Sequence, residues 1–181
     1  MFESDQENLI VKLPYGFRDV FPTECRERKV IVDIIGQQFR QWGYGEVKTP
    51  AVEYTKNIST GAGDSWSHKL INFFDIDGSL VSLRADMTIP IARLVGMRIK
   101  RPQLPVRFCY FANSFRQSAL QEGVKRVYSQ AGLELIGTDS FTADVEILTI
   151  LNKVLRVLGF KQYKIGLGQL QIIEGLCEWL G

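Results

Sequence analysis

The chain has 181 residues, 45% hydrophobic and 23% charged, with 22 Lys and Arg against 20 Asp and Glu for a net charge of +2. These proportions fit one globular domain, and the charge balance gives no argument for a polyanionic or membrane partner. A single histidine (His68) and three separated cysteines (Cys25, Cys109, Cys177) leave no basis for a Cys/His metal site and suggest reduced thiols, no apolar run approaches the roughly eighteen residues of a membrane span, and the acidic start is unlike a signal peptide, so a cytoplasmic protein is expected.

Residues 1–12 read as a flexible leader. Leu13 to Pro22 is a turn-rich entry loop. Thr23 can cap a helix running to about Trp42, whose Ile31, Ile35, Phe39 and Trp42 share a face, with Gly43 as its stop. Glu46 to Glu53 reads as a short strand broken by Pro50, and a proline there belongs at an edge or an interface. Residues 57–70, rich in Gly, Ser and Thr, read as a loop. Asn72 to Ile76 and Ser79 to Arg84 flank Asp77-Gly78, a two-residue hairpin signal.

A helix is predicted from Asp86 to about Ile99, with Pro90 in its first turn. Pro105 to Gln117 and Arg126 to Gly137 are two long strands around a polar loop. A helix from Phe141 to Leu158 carries Ile147, Leu148, Leu151, Val154, Leu155 and Leu158 on one face, and Gly159 closes it. A strand near Tyr163–Leu167 and a helix from Leu170 complete the chain. Helices alternate with hairpins rather than with single strands, which favours an α+β fold on a mostly antiparallel sheet.

Strand alternation places Tyr128, Gln130, Gly132, Glu134 and Ile136 on one face, with Gln130 and Glu134 about 13 Å apart. Two polar groups flanking a bare glycine make a floor for a small polar molecule. The same pattern also describes a half-exposed sheet with solvated Gln and Glu. The partner strand offers Phe108, Tyr110, Ala112, Ser114 and Arg116 on one face, and Arg116 is either a fixed cation for a carboxylate or phosphate or a surface residue. Spacing alone favours Asp86 or Thr88 as a helix cap. The functional reading makes Asp86 an acceptor for a ligand ammonium and Thr88 a second contact.

Taken together, Gly16-Phe-Arg-Asp-Val-Phe-Pro22, Phe39-Arg-Gln-Trp-Gly-Tyr-Gly-Glu-Val-Lys-Thr-Pro50 and Arg107-Phe-Cys-Tyr-Phe-Ala-Asn-Ser-Phe-Arg116 with Ser129-Gln-Ala-Gly-Leu-Glu134 resemble the core of class II aminoacyl-tRNA synthetases, in the histidyl branch. The second segment is similar to motif 1, which builds a dimer interface and ends in its proline, here Pro50. The third and fourth resemble motif 2. The resemblance implies one class II core domain over residues 13–181, corresponding to the N-terminal half of that core and incomplete at its C-terminal end. It also implies histidine as the ligand, with Asp86, Thr88, Arg116, Gln130 and Glu134 at the matching positions.

The departures from that pattern select a sub-branch. Where synthetases carry Arg-Pro-Glu-Gly-Thr, this chain has Arg84-Ala-Asp-Met-Thr88. Ser118 stands where motif 2 has the Glu that contacts adenine, and Val124 where an Arg meets the ATP phosphates. Losing two charge-assisted hydrogen bonds at about 1.5–3 kcal/mol each weakens ATP binding by roughly two to four powers of ten. A chain that keeps the histidine-binding groups and lacks those for ATP has the profile of a sensor. Asp86-Met-Thr88 and Phe115-Arg-Gln-Ser118 are similar to the regulatory subunits of ATP phosphoribosyltransferase, the first enzyme of histidine biosynthesis. That similarity implies a non-catalytic chain, without a cofactor, homodimeric within a complex with a short-form catalytic subunit. A catalytic histidyl-tRNA synthetase fragment is the alternative.

Overall fold

The computed structural model describes residues 12–100, 103–117 and 124–180. Most of the predicted leader, residues 1–11, and Ser118 lie outside them.

The first helix, α1 (Pro22–Gln41), starts two residues earlier than a cap at Thr23 implies. Phe21 is its N-cap and Pro22 opens its first turn, where a missing N–H costs little, so Thr23 is inside the helix rather than capping it. Gly43 follows its end at φ +78°, as the predicted stop requires. The stretch read as one broken strand divides at Pro50 into β1 (Gly45–Glu46) and β2 (Val52–Tyr54), which belong to different sheets. Pro50 thus marks the crossing from one sheet to the other.

Residues 57–70 are not a loop. They form most of α2 (Thr55–Ala62) and a short 3-10 turn (Asp64–Lys69). Packing overrides the weak propensity of this segment: Ile58, Leu70 and Ala85 are buried together, with Trp66 and Ile89 against them. Strands β3 (Ile71–Phe74) and β4 (Leu80–Leu83) form the predicted hairpin. Its connection is five residues long rather than two. Gly78 donates to the Asp75 carbonyl, and Asp75 N–H bonds Ser79 O across the loop. The Asp77 carboxylate takes the Ser79 N–H, which holds its pKa below the usual range.

Helix α3 (Thr88–Arg98) precedes the long hairpin of β5 (Val106–Phe115) and β6 (Val127–Ile136), which pair antiparallel over their full length. Helix α4 (Phe141–Val157) follows. The segment predicted as a strand near Tyr163 has no regular structure, and Tyr163 instead donates to Asn152 on α4. Helix α5 (Leu170–Leu180) closes the described chain.

The first sheet has the order β1-β5-β6, with β1 parallel to β5; the second, β2-β4-β3, is antiparallel. One face of the first sheet buries Phe39, Tyr44, Cys109, Ile150 and Val154 between α1, α4 and the strands. Ile150 is fully buried and is the α4 residue the predicted face omits. The other face packs Tyr110 against Met87, Ile91 and Val95 of the α3 segment. The candidate site lies on this second face, at the start of α3, where Thr88 meets Glu134.

Candidate functional site

Pairing of β5 with β6 puts Phe108 opposite Glu134, Tyr110 opposite Gly132, Ala112 opposite Gln130 and Ser114 opposite Tyr128. Directly opposed residues share a face, so the two sets read from alternation form a single floor. Gly132 is required there. A Cβ at that position would overlap the ring and hydroxyl of Tyr110, which crosses above it. The bare patch is therefore covered by the neighbouring tyrosine. The Tyr110 hydroxyl is pushed up to about 12, by burial first and then by the charges of Glu134 and Asp86.

The Arg84–Thr88 segment forms the wall above this floor. Asp86 accepts the Thr88 backbone N–H at 2.8 Å in a tight turn before α3, but the N-cap of that helix is Met87, not Asp86 or Thr88 as the spacing suggests. The Thr88 hydroxyl donates to Glu134 Oε1 at 2.8 Å, which joins wall to floor. Burial and the nearby Asp86 carboxylate raise the Glu134 pKa, while the Thr88 hydrogen bond opposes them. The Arg116 guanidinium donates through Nε to the Ala85 carbonyl at 3.0 Å, and its Nη2 is 3.9 Å from Asp86 Oδ2. On the floor, the fully buried Ser114 hydroxyl donates to the Gln130 amide oxygen, which leaves the amide NH2 as a donor. These contacts join Asp86, Thr88, Glu134 and Arg116, and strand alternation puts Gln130 on the same floor as Glu134. Two carboxylates, one guanidinium and one amide can match a small zwitterion with a polar ring.

Sequence reasoning missed Arg84 as a support of this wall. Its Nε donates to Asn113 O at 2.9 Å and its Nη1 to Thr49 O at 2.8 Å, while its own carbonyl accepts the Phe115 N–H. It ties the wall to the end of β5 and to the crossing between the sheets. Burial lowers its pKa, and the charge of Glu53 opposes that shift. Its long-range carbonyl partners leave no local pattern in the sequence. Val124 lies half-buried in a separate cleft of about 680 Å³ with Tyr15, Phe17, Lys125 and Tyr128, where the entry loop meets the foot of β6.

The hairpin floor, the helix above it and the sheet crossing at Pro50 define a class II synthetase-like core. The histidyl-tRNA synthetase family model matches residues 16–181, and the chain belongs to that family. Curated relatives narrow the resemblance. The chain is 38% identical over 172 residues to the ATP phosphoribosyltransferase regulatory subunit of Symbiobacterium thermophilum, covering 94% of this chain and 43% of that protein. The regulatory subunit of Moorella thermoacetica is 36% identical over 171 residues, 94% of this chain and 44% of that one. A solved structure of an ATP phosphoribosyltransferase regulatory subunit/histidyl-tRNA synthetase from Bacillus halodurans superposes with a TM-score of 0.77 at 33% identity, over 86% of this chain and 40% of its own. The chain spans less than half the length of the relatives it matches.

Proposed function

We propose that this chain is the synthetase-like core, over residues 13–181, of a regulatory subunit of ATP phosphoribosyltransferase. It acts in the first step of histidine biosynthesis and carries no aminoacylation activity of its own. A short-form catalytic subunit depends on it for activity, and histidine feedback passes through it. The observation that carries this reading is that relatives so named match 94% of the chain.

At the site Asp86 and Glu134 face the ligand's ammonium and ring N–H, Arg116 its carboxylate, and Gln130 a remaining acceptor, with Thr88 holding Glu134 in place. Pro50 is exposed at the sheet crossing, and exposure there leaves it free for the homodimer contact that this reading assigns to it. Among the described residues no helix is long and apolar enough to cross a membrane. The match to the synthetase family model favours one second reading, a histidine-activating enzyme.

The deciding experiment mixes the full-length protein with a short-form catalytic subunit and follows product from ATP and phosphoribosyl pyrophosphate. Activation that histidine suppresses supports the regulatory reading. No activation, with histidine-dependent ATP–pyrophosphate exchange instead, establishes the synthetase.

A further inference from the structure

The Arg116 guanidinium is held from three sides. Its Nε bonds the Ala85 carbonyl, and its Cζ is 5.3 Å from the ring centre of Trp66 and 5.3 Å from that of Tyr128. Trp66 is seated in the 3-10 turn against Ile58, Leu70 and Ala85. That turn is tied to the chain just beyond β5 by the Gln117 N–H, which donates to Lys69 O at 2.8 Å. The Tyr128 hydroxyl donates to the Lys125 carbonyl at 2.9 Å, which fixes the second ring. Lys69 also lies over Trp66, 4.9 Å from its centre, so this indole carries two cations.

Among the described residues the terminal nitrogens of Arg116 make no hydrogen bond, and Asp86 is 3.9 Å away. The clamp therefore consists of the Nε bond and the two ring contacts, and the Nη nitrogens are left for a ligand. A planar fork held this way suits a carboxylate, which takes two parallel N–H bonds. Ring contacts of this kind are worth more when partly desolvated, and they reduce the freedom a ligand must otherwise remove.

We propose that Trp66, together with Tyr128, is a positioning residue that fixes Arg116 as the receptor for the ligand's carboxylate, so that the site tells a free amino acid from its alcohol through Trp66. The proposal rests on the histidine reading above and names how that site selects its ligand.

The test measures binding of L-histidine and of L-histidinol, which lacks the carboxylate, to the full-length protein by calorimetry. Trp66→Leu and Tyr128→Leu should each weaken histidine about tenfold and leave histidinol within about twofold, while Trp66→Phe, which keeps a ring, should retain most of the affinity. Equal losses for both ligands, or none for histidine, would overturn the clamp. Tyr128 is partly exposed, so its variant keeps the test valid should Trp66→Leu fail to fold.

A ligand-free readout separates the clamp from the histidine reading. The Arg116 Nε–H signal, assigned with Arg116→Lys, should be ring-current shifted and slow to exchange in the wild type, and should lose that shift in Trp66→Leu. If the protein binds neither ligand, the histidine reading fails. An Arg116 signal at the ordinary solvent-exposed position then overturns the clamp as well, and a shifted, protected one upholds its geometry.

Discussion

The Thr88 hydroxyl and the Glu134 carboxylate meet at 2.8 Å across 46 positions of sequence, joining the start of α3 to the C-terminal part of β6. This bond holds a carboxylate at a partly buried site where burial and Asp86 both disfavour its charge. A group held at that cost is a candidate for ligand binding.

Glutamine at position 134 should therefore separate stability from binding. The folded pKa of Glu134 lies above its unfolded value of about 4.3. Its contribution to stability is present at low pH and is lost as pH rises through the folded pKa. Glu134→Gln should be no less stable than wild type at pH 7.5, by thermal melting, and should have a flatter stability profile through the acid range. Its histidine affinity should fall at least about tenfold, the loss of one charge-assisted hydrogen bond. In the wild type, binding should weaken on acidification while the pH is still above the ordinary carboxylate range. A variant that is both destabilised and fully competent for histidine would refute this role.

Much of that site was legible before the structure, for a physical reason. Strands of ten residues alternate strictly, so Gln130, Gly132 and Glu134 had to share a face, as did Tyr110, Ala112 and Ser114. Alternation does not reveal what lies between strands. That Tyr110 covers Gly132 depends on register, and register is set across the pair. The helical character of residues 55–69 was hidden because its stabilisation comes from Ile58 and Trp66 clustering with Ala85 and Ile89, which lie further along the chain, rather than from local propensity. The division of Glu46 to Glu53 between two sheets was hidden for a related reason. Pro50 signals an interruption but not which strand each half will join.

Alanine at Gly132 should expose the close approach of Tyr110. The new Cβ meets the ring and the hydroxyl together, so no small rotation relieves it. Overpacking of this kind costs about 1–3 kcal/mol. Urea unfolding of Gly132→Ala should show that loss, and the same substitution in a Tyr110→Leu background should cost clearly less, because the two residues are in contact. Additive penalties would mean that the tyrosine does not occupy that space.

Arg84 should matter to the fold and to the site together. Removing its side chain leaves the Thr49 and Asn113 carbonyls without their donor at the meeting of the two sheets. Each unsatisfied group costs about 1–3 kcal/mol, so Arg84→Ala should lose roughly 3 kcal/mol in denaturant titration. Arg84→Lys should recover little, because a single ammonium cannot reach both carbonyls in the fork geometry.

A carboxylate of the opposite kind lies on the other face of the first sheet. Glu146 accepts two bonds from Arg107, at 2.8 Å each, and one from the Tyr44 hydroxyl. The Arg107 bond, and after it that of Tyr44, holds its pKa below the usual range. Here the stability is present above the unfolded pKa of about 4.3 and is lost as pH falls through the folded value. Glu146→Gln should flatten the acid limb of the melting curve and lower stability near pH 7 by about 1 kcal/mol, since Arg107 is partly solvated and the pair is screened.

The ion pair between Glu53 and Arg93 should behave differently again, because Glu53 is only 5% exposed. Arg93 grips it through Nε, at 2.8 Å from Oε2, and Nη2, at 2.6 Å from Oε1, joining β2 to α3. Taking two charges out of water offsets much of their attraction, so the pair contributes little over an apolar replacement, while breaking one side strands a buried charge. Arg93→Leu should therefore cost about 3–5 kcal/mol, and Glu53→Leu with Arg93→Leu should regain most of it. The measurement is a double-mutant cycle in urea. Because α3 begins at Thr88, the single variant should also loosen the Thr88–Glu134 contact and weaken histidine binding, and the double variant should restore both together. A double variant that regains stability without regaining histidine would show that the ion pair sets the position of α3 rather than merely holding it to the sheet.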